Sequence, residues 1–302
     1  MTNGRALYGA IEAGGTKFVC AVATAPGEWL REARIVTTTP NQTLREVVDF
    51  FSAAKAELGS VASFGVGAFG PLELDTRSPH WGQLLKTPKP GWSGANLVAP
   101  LHECFGVPVA IDTDVNAAAL AEAQLGAGRG LRSVAYVTVG TGIGGGFVID
   151  GRSLRGVMHP EVGHLTVRRD PRDSHFVGCC PFHRDCLEGM AAGPAIVARW
   201  QVPLRELGPH SEAASIIAYY LGQLSVSIAL TVSSERIVFG GGVMETPGLL
   251  EQVRSSAVQL LNGYLPRAPL DGDLCEYIVA PGLGTRSGLT GALLLATQVA
   301  AR

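Results

Sequence analysis

Two glycine-rich turns, each set between two strand-like runs, constrain this chain more than any other feature. Residues 8–12 and 18–23 are β-prone and apolar but for Glu12, and they flank Ala13-Gly14-Gly15-Thr16-Lys17. About 125 positions later, 133–139 and 146–149 flank Gly140-Thr141-Gly142-Ile143-Gly144-Gly145-Gly146. Each pair reads as a β-hairpin, and helix and strand patterns alternate after each. A hairpin-led α/β unit that occurs twice predicts two related α/β lobes facing across a cleft. Ligands in such folds bind where loops at strand ends converge. No short strict period is present, which excludes a solenoid.

Periodicity predicts a helix over 43–58, with Leu44, Val47, Val48, Phe51, Ala54 and Leu58 on one face. Strands are expected at 63–69 and 107–111, and a helix at about 115–125. Helices dominate 194–234, broken near Pro203 and Pro209. A strand at 236–239 runs into Gly240-Gly241-Gly242, followed by a helix at 249–261, a strand at 277–280 and a last helix at 289–301. Residues 213–234 carry no charge, but Tyr219, Tyr220, Gln223, Ser225, Ser227 and Thr231 favour a buried helix leading into a strand over a membrane span.

A length of 302 residues suffices for two lobes, and 46% hydrophobic against 17% charged residues makes a large core easy to build. Net charge is −2 and the pI about 6.4, so there is no electrostatic footprint for nucleic acid or an anionic membrane. Met1-Thr2-Asn3-Gly4-Arg5 shows no charged-then-apolar signal region. Three of the six cysteines cluster at 179, 180 and 186, which fits a metal site in a reducing cytoplasm better than a disulfide framework.

The second turn contains G-x-G-x-x-G, but a strand follows it where a dinucleotide fold needs a helix, and no Gly-Lys-Ser/Thr opens a helix as a Walker A loop requires. A glycine turn can still cradle phosphate. Its inward N–H groups form an anion nest that a side chain would block. Thr16 and Lys17 add a hydroxyl and a charge to the first turn. Asp112-Thr113-Asp114-Val115-Asn116 spans a strand-to-helix junction. An aspartate there caps the helix, and one facing a cleft can also take a proton from a hydroxyl nucleophile. Spacing alone leaves both Asp112 and Asp114 open for that role.

Cys180, His183 and Cys186 supply three soft ligands at close spacing, and a tetrahedral metal needs four. His164, 16 residues before Cys180, can be the fourth, and Cys179 rivals Cys180. Glu161 and Glu188 are then carried beside the metal loop, where carboxylates suit sugar hydroxyls. A nucleic-acid zinc module would need surrounding basic charge, which is lacking.

In these motifs the chain resembles the ROK family of sugar kinases, within the actin-like ATPase superfamily, and its bacterial fructokinase branch in particular. Ile11-Glu12-Ala13-Gly14-Gly15-Thr16-Lys17 is similar to the first phosphate motif, D-x-G-G-T-K. Residues 140–146 resemble the second, and Gly240-Gly241-Gly242 the adenosine-side motif. Asp114 matches the catalytic base. Glu161-Val162-Gly163-His164 matches E-x-G-H, whose histidine binds zinc and whose glutamate faces sugar, and Glu188 matches the acidic sugar contact after the last cysteine. Thr87-Pro88-Lys89-Pro90-Gly91-Trp92 resembles the fructokinase branch.

The resemblance implies a two-lobed actin-like ATPase (ribonuclease H-like) α/β fold with an interlobe cleft and a zinc-binding loop. The lobes would be 1–115 plus 290–302, and 116–289 with the zinc loop and a dimerisation surface. It implies an ATP-dependent kinase acting on the 6-hydroxyl of D-fructose, with a broader glucose, mannose or N-acetyl amino-sugar kinase and a sugar-sensing regulator as alternatives. Gly14, Gly15, Thr16, Lys17, Thr141, Gly142, Gly144, Gly240, Gly241 and Gly242 would hold ATP. Gly70, Thr113, Asp114, Glu161, His164 and Glu188 would surround the sugar. His164, Cys180, His183 and Cys186 would bind structural Zn²⁺, with Mg²⁺ accompanying ATP. A cytoplasmic homodimer without nucleic-acid or membrane partners is expected. The chain departs from the family pattern at three places: Glu12 stands where Asp is commoner, Thr113 where Asn is, and the zinc loop is Cys₂His₂ rather than Cys₃His.

Overall fold

A computed structural model describes residues 5–301. The expectation about the N-terminus falls mainly on residues 1–4, which lie outside the described residues. In chain order the strands are β1 (Leu7–Ala13), β2 (Lys17–Ala23), β3 (Trp29–Val36), β4 (Val61–Ala68), β5 (Val109–Thr113), β6 (Ser133–Val139), β7 (Ile143–Ile149), β8 (Arg152–Ser153), β9 (Arg236–Gly240) and β10 (Ile278–Val279). The helices are α1 (Pro40–Leu58), α2 (Ala99–Phe105), α3 (Asp114–Leu125), α4 (Leu187–Ala191), α5 (Gly193–Trp200), α6 (Glu212–Thr231), α7 (Leu249–Leu261) and α8 (Ser287–Ala300).

The strands form two five-stranded sheets, ordered β3-β2-β1-β4-β5 and β10-β9-β6-β7-β8. In each, the first three strands of the set run antiparallel and the last two join parallel to the first. The architecture is therefore one α/β plan used twice, as the repeated hairpin predicts. Chain contacts separate two units. One comprises Met1–Ala121, Arg155–His159 and Arg286–Arg302, and the other Glu122–Leu154 and Pro160–Thr285. The boundaries expected at 115/116 and 289/290 fall inside α3 and α8. In the structure the start of each helix packs on the first sheet, with Ala117 against both Gly67 and Gly291.

In the first unit, period-2 alternation sends Ile11 and Ala13 to a core with Phe18, Val47, Phe51 and Phe64, under α1. Ala10 faces the other way, toward Leu289 and Leu293 of α8. Gly65 permits that packing: a Cβ there would sit 1.9 Å from the Ala292 carbonyl oxygen. Helix α1 starts at a Thr39 cap, with Pro40 in its first turn, and ends at Gly59. Phe51 stacks edge-on against Phe64 at 4.8 Å. Truncating Phe51 to Ala would cost about 3–5 kcal/mol.

The second unit is built around α6, which packs against α7 and α4. By length and composition α6 could cross a membrane, but 67% of its apolar window is buried inside the structure. It leads toward strand β9, as read from 213–234. Strands β3 and β8 and helices α2 and α4 were not anticipated. The second glycine turn is also shorter than its sequence suggests. Gly144, Gly145 and Gly146 pair with Thr138, Val137 and Tyr136 inside the β6–β7 ladder, which leaves Gly140, Thr141 and Gly142 as the turn.

Candidate active site and metal centre

The first unit places the two carboxyls of the site on neighbouring elements. Glu12, on β1, pairs with Gly67 of β4. Its carboxyl reaches the first turn of α8, where a Cβ on Gly288 would lie 2.5 Å from Oε1. Asp114 opens α3, and its Oδ1 accepts from Val115 N at 2.8 Å. Burial raises the Asp114 carboxyl to about 6, although the Val115 amide and its own amide pull it down. Burial, then the charge of Asp114, raises Glu12 to about 7 against the opposing pull of Lys17. A helix N-terminus ordinarily favours an ionised carboxylate, so at Asp114 desolvation outweighs the dipole. A base near 6 is ionised at neutral pH and still basic enough to take a hydroxyl proton.

Asp112 has a different environment. It is 1% exposed, and both of its oxygens are engaged. Oδ1 accepts from Thr113 N and Asn116 Nδ2, each at 2.8 Å, and Oδ2 from Arg155 at 2.6 Å. The Thr113 hydroxyl accepts from Asn116 N at 3.1 Å. Asp112 therefore anchors the turn that presents Asp114. Arg155, 43 residues away in sequence, is its counter-ion. Sequence reasoning missed Arg155 because an arginine in a loop carries no local signal. His159, in the same short segment, accepts from Leu72 N at 3.0 Å. Gly70, part-buried, follows β4 and precedes a cis bond to Pro71.

The first glycine turn is closed by Gly14 N→Lys17 O at 3.0 Å. It is held by Thr37, whose hydroxyl donates to Gly14 O at 2.8 Å and whose amide donates to Thr16 O. Thr16 and Lys17 are exposed, and Gly14 and Gly15 part-buried.

In the second unit, Gly140 N donates to Gly142 O at 2.9 Å across the second turn. Thr141 is exposed at its tip, and Gly144 lies in β7. Glu188 Oε2 accepts from Ile143 N at 2.9 Å, so this carboxylate meets the turn directly. Gly240 ends β9, and Gly241 and Gly242 lead into a short 3₁₀ turn. Glu161 is exposed just before the 3₁₀ turn Val162–His164.

His164, Cys180, His183 and Cys186 bring one ligand atom each to within 4.8 Å of one another. His164 Nδ1 lies 3.5 Å from Cys186 Sγ and 3.7 Å from Cys180 Sγ, and His183 Nδ1 lies 3.7 Å from Cys180 Sγ. A tetrahedron with metal bonds of about 2.0–2.3 Å has edges of about 3.3–3.8 Å, so these separations fit one ion. A tight knuckle makes the site. Arg184 N bonds Cys180 O, Cys180 N bonds Arg184 O, and Arg184 adopts a left-handed φ of 59°. Cys186 then forms the N-cap position of α4. Cys179 stays exposed and outside the cluster, whereas Cys180 is buried within it.

A model described as the ROK family matches residues 8–299. Over 299 residues the chain is 48% identical to the fructokinase of Zymomonas mobilis subsp. mobilis, covering 98% of each chain. Among solved structures it resembles a ROK hexokinase from Thermus thermophilus, with TM-score 0.77, 31% identity and coverage of 97% of this chain and 98% of that one. It also resembles a ROK family glucokinase from Streptomyces griseus in complex with glucose and AMPPNP, with TM-score 0.74, 26% identity and coverage of 97% and 99%.

Proposed function

Since the chain belongs to the ROK family, we propose that it is an ATP-dependent sugar kinase that phosphorylates the 6-hydroxyl of D-fructose. The observation that carries the substrate is the end-to-end 48% identity to a fructokinase. The Asp114 carboxyl, with its raised proton affinity, supports the chemistry.

In this reading Asp114 orients the sugar 6-hydroxyl and takes its proton as the oxygen attacks the γ-phosphorus of ATP, while the bond from that phosphorus to the β,γ-bridging oxygen breaks and ADP leaves with the electron pair. Arg155 and Asp112 keep the base-bearing turn in place. The backbone N–H groups of Gly15 and Gly142, with the hydroxyls of Thr16 and Thr141, hold the phosphates, and Lys17 adds positive charge. Gly14 and Gly144 leave room for the phosphates by lacking side chains, because their own N–H groups are used within the turn and the ladder. Gly240, Gly241 and Gly242 line the adenosine side. Little covalent work falls to the protein, so positioning and charge stabilisation carry the rate. Gly70, Thr113, Glu161, His164 and Glu188 contact the sugar. Glu188 uses Oε2 on Ile143 N, which leaves Oε1 for a hydroxyl. His164 turns Nδ1 toward the cysteines, which leaves Nε2.

Zn²⁺ suits the Cys₂His₂ set, and four protein ligands would leave no open position, so its part would be structural. Mg²⁺ bound with ATP would offset phosphate charge. Glu12 and Asp114 fit a cation nearby, because their mutual repulsion is what added positive charge relieves. The metal-binding thiols suit the reducing cytoplasm. Exposed Leu165, Val177 and Phe182 offer apolar surface to a second copy in a homodimer.

A coupled ADP-release assay across a hexose panel tests the reading. Fructose should give the highest kcat/KM. Preference for glucose, mannose or an N-acetyl amino sugar would move the assignment to the broader kinase, and no ADP release with any sugar would overturn it.

A further inference from the structure

We propose that Glu188 and the metal centre together brace the second glycine turn, so that metal occupancy sets nucleotide affinity as well as the shape of the sugar pocket. The inference rests on the reading of that turn as a phosphate cradle.

Ile143, the first residue after the turn, is gripped on both sides by the segments that carry the metal ligands. Its N–H donates to Glu188 Oε2 at 2.9 Å, and Glu188 is two residues past the ligand Cys186. Its carbonyl oxygen would lie 1.9 Å from a Cβ on Gly163, the residue before the ligand His164. Any side chain at Gly163 would push the two backbones apart. The same two arms hold the turn elsewhere. Gly193 N, beyond α4, donates to Gly140 O at 2.8 Å. Val162 lies so close over Gly145 that a Cβ there would be 2.5 Å from its Cγ2. The Glu188 carboxylate also lies over the turn itself, with Oε2 2.6 Å from the position of a Cβ on Gly142.

The two arms meet away from the turn as well. Leu187 N donates to Leu165 O at 2.9 Å, and His164 Nδ1 lies 3.5 Å from Cys186 Sγ. The result is a closed ring. It runs from Ile143 through Gly163 and His164, across to Cys186, and back through Glu188 to Ile143. One hydrogen bond between the arms opens readily in water, whereas a metal ion shared by His164 and Cys186 would tie the two arms together. An anion nest is effective only while its N–H groups are already aimed. The ring is what keeps those at the second turn aimed.

Linkage supplies the test. If metal strengthens nucleotide binding, nucleotide must strengthen metal binding by the same factor. AMPPNP with Mg²⁺, titrated by calorimetry without sugar, should bind about fivefold or more weakly to zinc-stripped protein than to zinc-loaded protein. Chelator competition should show zinc held more tightly by the same factor when AMPPNP is present. Hydrogen exchange at the Ile143 amide should quicken on stripping and in Glu188→Ala, but not in Glu188→Gln, which keeps an acceptor oxygen. Equal AMPPNP affinity in loaded and in folded, zinc-free protein would overturn the proposal, and so would Ile143 exchange unaffected by Glu188→Ala. If stripping unfolds the protein, the two Glu188 variants decide. If AMPPNP fails to bind the loaded protein, the kinase reading falls, and Ile143 exchange alone judges the brace.

Discussion

The two sheets share strand order and a glycine hairpin at the same place, yet the hairpins are held by different means. In the first, Thr37, one residue past β3 of the same sheet, donates twice to the turn. In the second, the support comes from Glu188, 45 residues downstream of Ile143 and next to a metal cluster. The chemistry divides the same way. The first unit holds Glu12 and Asp114, two carboxyls pushed toward neutral pH. The second holds the cluster of His164, Cys180, His183 and Cys186 that could bind a metal. On the proposed function, one plan used twice supplies a reactive half, with the raised carboxyls, and a braced half, beside the cysteine and histidine cluster.

The largest effect should come from the reactive half. Asp114→Asn keeps the shape and the acceptor for Val115 N but cannot take a proton. Turnover should fall about 10²-fold or more, with AMPPNP affinity and zinc content near those of the parent. In the parent, kcat should drop as pH falls through about 6, where Asp114 protonates. A variant that keeps parental turnover would abolish the division between the halves.

Next comes the anchor beneath the base. Arg155→Met leaves the Asp112 carboxylate buried without its counter-ion, at a cost of about 3 kcal/mol in chemical denaturation. Adding Asp112→Asn should recover most of that loss, because the buried charge is gone. Equal losses in the single and double variants would mean that the pair does not anchor the turn.

In the braced half, His183→Ala removes the one exposed member of the four-residue cluster. Zinc affinity should fall at least about 10-fold, read by chelator competition, with kcat for the sugar reaction changing less than in Asp114→Asn. Full zinc affinity in that variant would take His183 out of the ligand set.

How much of this was legible in the sequence follows from the range of the interactions. Alternating and 3.6-period patterns are local, so 133–139 and 249–261 were read with the boundaries the structure has. Strand β3 was missed because Arg31, Glu32 and Arg34 interrupt its apolar run and only Ile35 is buried, the signature of an edge. Helix α4 is only five residues long and hidden behind the cysteine knuckle. The four members of the cluster could be named from residue type, but spacing could not separate Cys179 from Cys180, since neighbouring side chains leave the backbone in opposite directions. The knuckle bonds between Cys180 and Arg184 decide which one turns inward. Asp112 and Asp114 posed the same problem, and the partner that occupies Asp112 comes from a segment no local pattern flags. Gly144, Gly145 and Gly146 looked like turn residues because glycine is usually turn-forming. In the structure Gly145 is a strand position on which Val162 rests.

The smallest predicted effects should differ in sign between the halves. Asp114 has a folded-state pKa near 6 against an ordinary 3.8. A raised carboxyl contributes its stability below the unfolded pKa and loses it as pH rises through the folded one. At pH 7 the ionised group therefore weighs against folding. Asparagine at 114 does not titrate and can still accept from Val115 N, so the variant should match the parent near pH 3.8 and gain on it up to about pH 6. The gain at pH 7 should be about 1–2 kcal/mol, reduced from the full linkage value because the carboxyl is partly exposed. Glu12 should titrate lower in the same variant, because the charge of Asp114 is one of the causes of its rise. In the other half, Glu188→Ala strands the amide of Ile143, a residue only 3% exposed, and should lose about 1–3 kcal/mol. Denaturation midpoints of the two variants at pH 7 test the comparison directly. A gain at Asp114 with a loss at Glu188 separates a carboxyl kept for chemistry at the expense of stability from one kept to hold the fold, and equal signs would erase that distinction.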